Sequence, residues 1–128
     1  MTALQVAAVY IAANILIMVY LAFRVVARRF KGNVSMGDGG SKSLAKAIRV
    51  HGNASEYIPG TMVGLLALAF LSAPLWAIHA IGIMFTLGRL LHAVGMSRGP
   101  IQFRQLGIML TWAAMVILSL ALLYHAFT

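Results

Sequence analysis

From Thr2 to Phe23 the chain runs apolar for 22 residues, with only Gln5 and Asn14 interrupting it. About 20 such residues in a helix cross the ~30 Å hydrocarbon core of a bilayer. A helix suits that solvent because it satisfies its backbone groups within the segment itself. No basic n-region precedes this run and its cations follow it, so it reads as a retained span and not a cleaved signal. Three further helices are expected: from Ser43 to Leu71, capped by Ser41 or Ser43, from Leu75 to about Met96, and from about Gln102 to Tyr124. A polar, glycine-rich connection from Arg28 to Lys42, a tight hairpin at Ser72-Ala73-Pro74 and the breaker Ser97-Arg98-Gly99-Pro100 separate them. Composition agrees: 9% of residues are charged and 62% hydrophobic, against roughly 25% charged in soluble domains. A soluble chain of 128 residues could not hide that much apolar surface. The expected fold is all-α, an integral-membrane four-helix bundle forming one domain.

The basic residues set the expected orientation. Arg24, Arg28, Arg29, Lys31, Lys42, Lys46 and Arg49 sit in or beside the first connection, and Arg89, Arg98 and Arg104 flank the third. None lies at a terminus or at the Ser72–Pro74 hairpin. By the positive-inside rule the two basic connections are cytoplasmic and both termini are on the other side. The net charge of +8 is therefore a signature of membrane topology. A nucleic-acid partner would require a basic stripe along a soluble surface, and there is none. With no cysteine, any thiol chemistry has to arrive with a ligand.

The second and third spans are too short if only their apolar parts are counted. Ile58 to Leu71 and Leu75 to Gly88 are 14 residues each, about 21 Å of helix. Each must carry a polar end into the inner leaflet. Counted from Ala73, Glu56 lies 17 residues back and Arg89 16 forward, at nearly one depth. An unpaired carboxylate there costs several kcal/mol, so Arg89 is the expected partner of Glu56. Arg49, Asn53 and Glu56 recur at i, i+4, i+7, and Arg89, His92 and Met96 at i, i+3, i+7, each set on one helix face. Together they predict a polar pocket open to the cytoplasm. Pro59 predicts a kink. Gly52, Gly60 and Gly64 share the rhythm of Glu56 and predict a close helix approach. Asn14 is expected to bond a neighbouring helix.

The stretch Arg49-Val-His-Gly-Asn53-Ala-Ser-Glu56-Tyr57-Ile-Pro59 resembles the second-helix signature of the MAPEG family, the membrane-associated proteins of eicosanoid and glutathione metabolism. Gly88-Arg89-Leu-Leu-His92-Ala-Val-Gly95 is similar to the family's third-helix segment, and Gly37-Asp38-Gly39-Gly40 looks like its bacterial inner-membrane branch. The resemblance implies a homotrimer with glutathione between adjacent subunits near the cytoplasmic face. It implies that Arg49, Asn53, Glu56, Tyr57, Arg89 and His92 hold the tripeptide, with Arg28 or Arg29 reaching in from the next subunit. It also implies a transferase- or peroxidase-like enzyme in which Arg104 is catalytic, activating the thiol to conjugate or reduce lipophilic electrophiles that enter from the bilayer. Two positions depart from the family pattern. Met96 stands where an aromatic hydroxyl is common, and Arg104 is one or two residues displaced from the family's arginine. The alternative is a catalytically degenerate member that binds another anionic ligand or serves as a scaffold.

Overall fold

The computed structural model describes all 128 residues as four helices: α1 (Ala3–Gly32), α2 (Lys42–Phe70), α3 (Leu75–Ser97) and α4 (Ile101–Phe127). Thr2 opens α1 with a reciprocal capping box: its hydroxyl accepts from the Gln5 amide at 3.2 Å and its own amide donates to Gln5 Oε1 at 2.8 Å. The helix ends at Asn33, in the left-handed conformation with φ 55°. It therefore continues through Arg28–Gly32, where the sequence reading placed a loop. The physical reason is that charge ends a hydrocarbon span without ending a helix, and Arg, Phe and Lys all continue one readily. The loop that follows turns at Asp38, whose Oδ1 accepts from the Gly40 amide at 2.9 Å. Of the two candidate caps for α2, Ser41 is the one used, accepting from the Leu44 amide. α2 then runs unbroken through Pro59.

The helices alternate in direction, so the 33–41 and 98–100 connections share one end with most of the cations. The N-terminus and the Ser72–Pro74 hairpin lie together at the other end. α2 and α3 form the inner pair, each touching both outer helices, while α1 and α4 do not meet. Leu65, Leu68, Ile78 and Phe85 are fully buried between them. α1 is tied to α3 by polar groups at two levels. Tyr10 Oη and His79 Nδ1 are 2.8 Å apart, and Asn14 Nδ2 donates to Thr86 Oγ1 at 2.9 Å, the neighbouring-helix bond expected of Asn14. Between α3 and α4 the backbones themselves are in contact. A Cβ at Gly107 would strike the His92 amide, and one at Gly95 would strike the backbone of Arg104. Close approach of this kind is the usual way helices associate where lipid removes the hydrophobic driving force.

Only 28 of the 128 residues are buried, and large apolar side chains such as Val9, Leu16, Phe23, Val116 and Leu120 cover the outside. That surface needs lipid or another subunit over it. α1, α3 and α4 are each long and apolar enough to cross a membrane. α2 falls short of that standard by composition, because Lys42, Lys46, Arg49 and Glu56 occupy its first half. The α3–α4 contact gives a direct test. Gly107→Ala should destabilise the detergent-solubilised protein by about 1–3 kcal/mol through overpacking, read as a lowered thermal midpoint. An unchanged midpoint would show that the two backbones are not in contact.

Candidate functional site

Arg89, two-thirds of the way along α3, is 1% exposed. Its Nη2 donates to Asn53 Oδ1 at 2.6 Å and lies 3.0 Å from His92 Nδ1. A guanidinium has no acceptor, so His92 Nδ1 accepts and the ring proton of neutral His92 sits on Nε2. The guanidinium carbon lies 5.3 Å from the centroid of the Tyr57 ring, in cation–π range. Tyr57 in turn accepts at its hydroxyl from Trp112 Nε1 at 3.2 Å. Three residues of α2 and α3 are thereby gathered around one cation, and α4 joins through Trp112. Nε and Nη1 of Arg89 are buried with no hydrogen-bond partner. Buried donors are ordinarily satisfied, and a buried charge requires an opposite one. Two donors of the hub are thus unmet.

Glu56 does not bond to Arg89, contrary to the expectation drawn from matched depth. Its partner is Arg49 on its own helix, with Nη1 3.1 Å from Oε1. Depth alone is a poor guide here because partners must also agree in azimuth. At about 100° per residue, Arg49 and Glu56 lie ~20° apart around α2, while Asn53 is rotated ~40–60° from them. That rotation turns Asn53 into the bundle and leaves the ion pair on the flank, its side chains 61% and 53% exposed. The long Arg89 side chain also reaches past its own Cα level toward the polar end, to Asn53 and His92. Gly52 and Gly60, on the stripe of Glu56, meet nothing within the chain. Of that stripe only Gly64 is packed, against Leu118 and Leu122 of α4.

The remaining candidates divide between two sides of the molecule. Arg104 lies in the first turn of α4, exposed, with its backbone against Gly95. Met96 is half-buried against the core and brings no hydroxyl to the site. Arg28 is elsewhere: its Nε donates to Ser43 Oγ at 3.1 Å and its Nη1 to the Arg24 carbonyl. Arg29 is anchored to the Gly37 carbonyl at 2.8 Å. Neither joins the hub within one chain. Trp112 is the residue that sequence reasoning missed. Its signal was an indole N–H in an otherwise apolar span, which needs an acceptor. The hub predicts non-additivity. Arg89→Leu should cost about 1–3 kcal/mol by stranding Asn53 and His92. Adding Asn53→Leu should cost little more, because the two share one interaction. Strictly additive losses in thermal or denaturant unfolding would contradict this.

The chain is 38% identical over 121 residues to the inner membrane protein YecN of Escherichia coli K12, an alignment covering 94% of this chain and 92% of the relative. The YecN of Escherichia coli O6:H1 (strain CFT073) matches equally. The family profile of the MAPEG proteins matches residues 7–124, which takes in all four helices and every residue of the hub. A helical membrane bundle with the second- and third-helix signature residues gathered at one end is thus no chance likeness, and the chain belongs to the MAPEG family.

Proposed function

We propose that this protein is a glutathione-dependent transferase of the bacterial inner membrane, acting as a homotrimer on lipophilic electrophiles. The observation that carries this reading is the incomplete hub: a buried Arg89 with two unsatisfied nitrogens beside a carboxylate and an arginine exposed on the flank of α2. Charges exposed at that level of a membrane helix call for a polar cover. Glutathione has the matching chemistry, with two carboxylates, one amine and one thiol. Arginines suit its carboxylates, and Glu56 suits its amine. Asn53 both donates and accepts, and Tyr57 retains its hydroxyl proton for donation. A second subunit laid against the Gly52–Glu56–Gly60 stripe, which meets nothing of its own chain at Gly52 and Gly60, would close the pocket. Arg28 or Arg29 of that subunit is the cation that would reach it.

In this reading Arg104 stabilises the thiolate, whose unperturbed pKa of about 8.5 leaves it mostly protonated at neutral pH. The sulfur attacks the electrophilic carbon, a carbon–sulfur bond forms, the leaving group departs with its electron pair and the thiol proton passes to solvent. The degenerate alternative draws on Met96, which offers no aromatic hydroxyl one turn beyond His92 on α3. In that case the hub serves another anion.

Calorimetric titration of glutathione into the detergent-purified protein tests the binding half of the proposal. Arg49→Ala and Glu56→Gln should each weaken affinity by about 10- to 100-fold, the worth of a hydrogen bond to a charged group. No heat from wild type at millimolar glutathione would sink the proposal. Turnover of 1-chloro-2,4-dinitrobenzene tests the chemical half. Arg104→Leu should lower kcat by about 10²-fold with little change in glutathione affinity. If wild type binds but does not turn over, the degenerate reading stands.

A further inference from the structure

Two cavities meet alongside α1. One is a groove of about 490 Å³ between α1 and α3, walled by Ala13, Leu16 and Ile17 on one helix and Leu90, Ala93 and Val94 on the other. The second, about 290 Å³, lies at the polar end where α1, α2 and α3 converge. It holds Arg24, Arg28, Lys42 and Lys46 with Ser43 and Ser97. Arg24, Arg28 and Ser97 line both cavities, so the apolar groove opens directly into the cationic one.

Nothing in the chain neutralises those four cations. The protein has two acidic residues. Glu56 is engaged by Arg49, and Asp38 caps its own turn. Arg24 is held instead by Ser97 Oγ at 2.9 Å and over the Tyr20 ring at 5.9 Å. Arg28 rests on Ser43 Oγ and the Arg24 carbonyl. These neutral contacts orient the guanidiniums without compensating their charge. The cations stand at the end of the bundle where lipid headgroups meet helices. The groove runs from them along α1 to Ala13, 11 residues from Arg24 or about 16 Å of helix, which is acyl-chain territory. A basic pocket between transmembrane helices at the headgroup level is the chemistry that retains acidic lipids.

We propose that this composite cavity is a binding site for one anionic membrane phospholipid, its headgroup phosphate among Arg24, Arg28, Lys42 and Lys46 and an acyl chain in the α1–α3 groove. The site is separate from the hub around Arg89, and because it takes Arg28 it leaves Arg29 as the cation of the glutathione reading that reaches the neighbouring subunit. An occupied site would brace the polar end of α1, which touches α3 but not α4.

Native mass spectrometry of the detergent-purified protein tests this, with dioleoyl phosphatidylglycerol, dioleoyl phosphatidylcholine and inorganic phosphate as separate titrants. Wild type should retain phosphatidylglycerol in preference to the zwitterionic lipid, and phosphate alone should bind far more weakly. The double variant Arg24→Gln/Lys46→Gln removes two cations and should weaken phosphatidylglycerol retention roughly 30-fold. Ala13→Phe fills the apolar end without touching charge and should also weaken it, which separates lost charge from lost fold. Equal retention of both lipids, phosphate binding as tight as phosphatidylglycerol, or retention unchanged in both variants would each overturn the proposal.

Discussion

A guanidinium cannot lose its charge at accessible pH, and in this bundle one is placed where water does not reach. Around Arg89 the polar groups of α2 and α3 are therefore spent: Asn53 and His92 take one nitrogen, and the Tyr57 face takes part of the charge. The glycines of the α3–α4 contact let α4 come close enough for Trp112 to reach Tyr57. What remains unmet on Arg89 is a pair of nitrogens. An anionic ligand would complete the arrangement, and the hydrocarbon around it would make that completion worth more than in water.

The same solvent explains why so much of the fold is legible in sequence. Helix existence follows from run length and the demand for internal hydrogen bonding. The hairpin at Ser72–Pro74 and the cap at Ser41 follow from local chemistry. The limits are equally physical. The onset of charge predicts the end of α1 near Arg28, yet the helix continues to Gly32. The partner of Glu56 was read from depth, yet azimuth decides it, and the small rotation between Asn53 and Glu56 sends one inward and the other to the flank. Of the expected glycine surface on α2, only Gly64 has a neighbour in the chain. The α2 members of the hub, Asn53 and Tyr57, are legible because the second-helix signature packs them into the 11 positions 49–59, and its α3 members, Arg89 and His92, because they share one helix face. Trp112 is not, since its role depends on which face of α4 meets Tyr57.

Two faces of the protomer emerge with different chemistry. One flank of α2 carries balanced charge, an exposed ion pair beside the incomplete hub, suited to a zwitterionic, multiply charged ligand. The α1 side carries unbalanced positive charge joined to an apolar groove, suited to an acidic amphiphile. On the second face the acidic residues that could neutralise Arg24, Arg28, Lys42 and Lys46 are engaged elsewhere.

The central claim is that Arg89 awaits an anion. Nitrogen-15 NMR of the arginine side chains in the micelle-bound protein reads that group directly, with Arg89→Lys assigning its Nε signal. The account predicts that glutathione shifts the Arg89 Nε–H resonance and protects it from solvent exchange, while the resonance of Arg98 stays in place. An Arg89 signal unmoved by millimolar glutathione would contradict the account and leave the hub as a purely structural network.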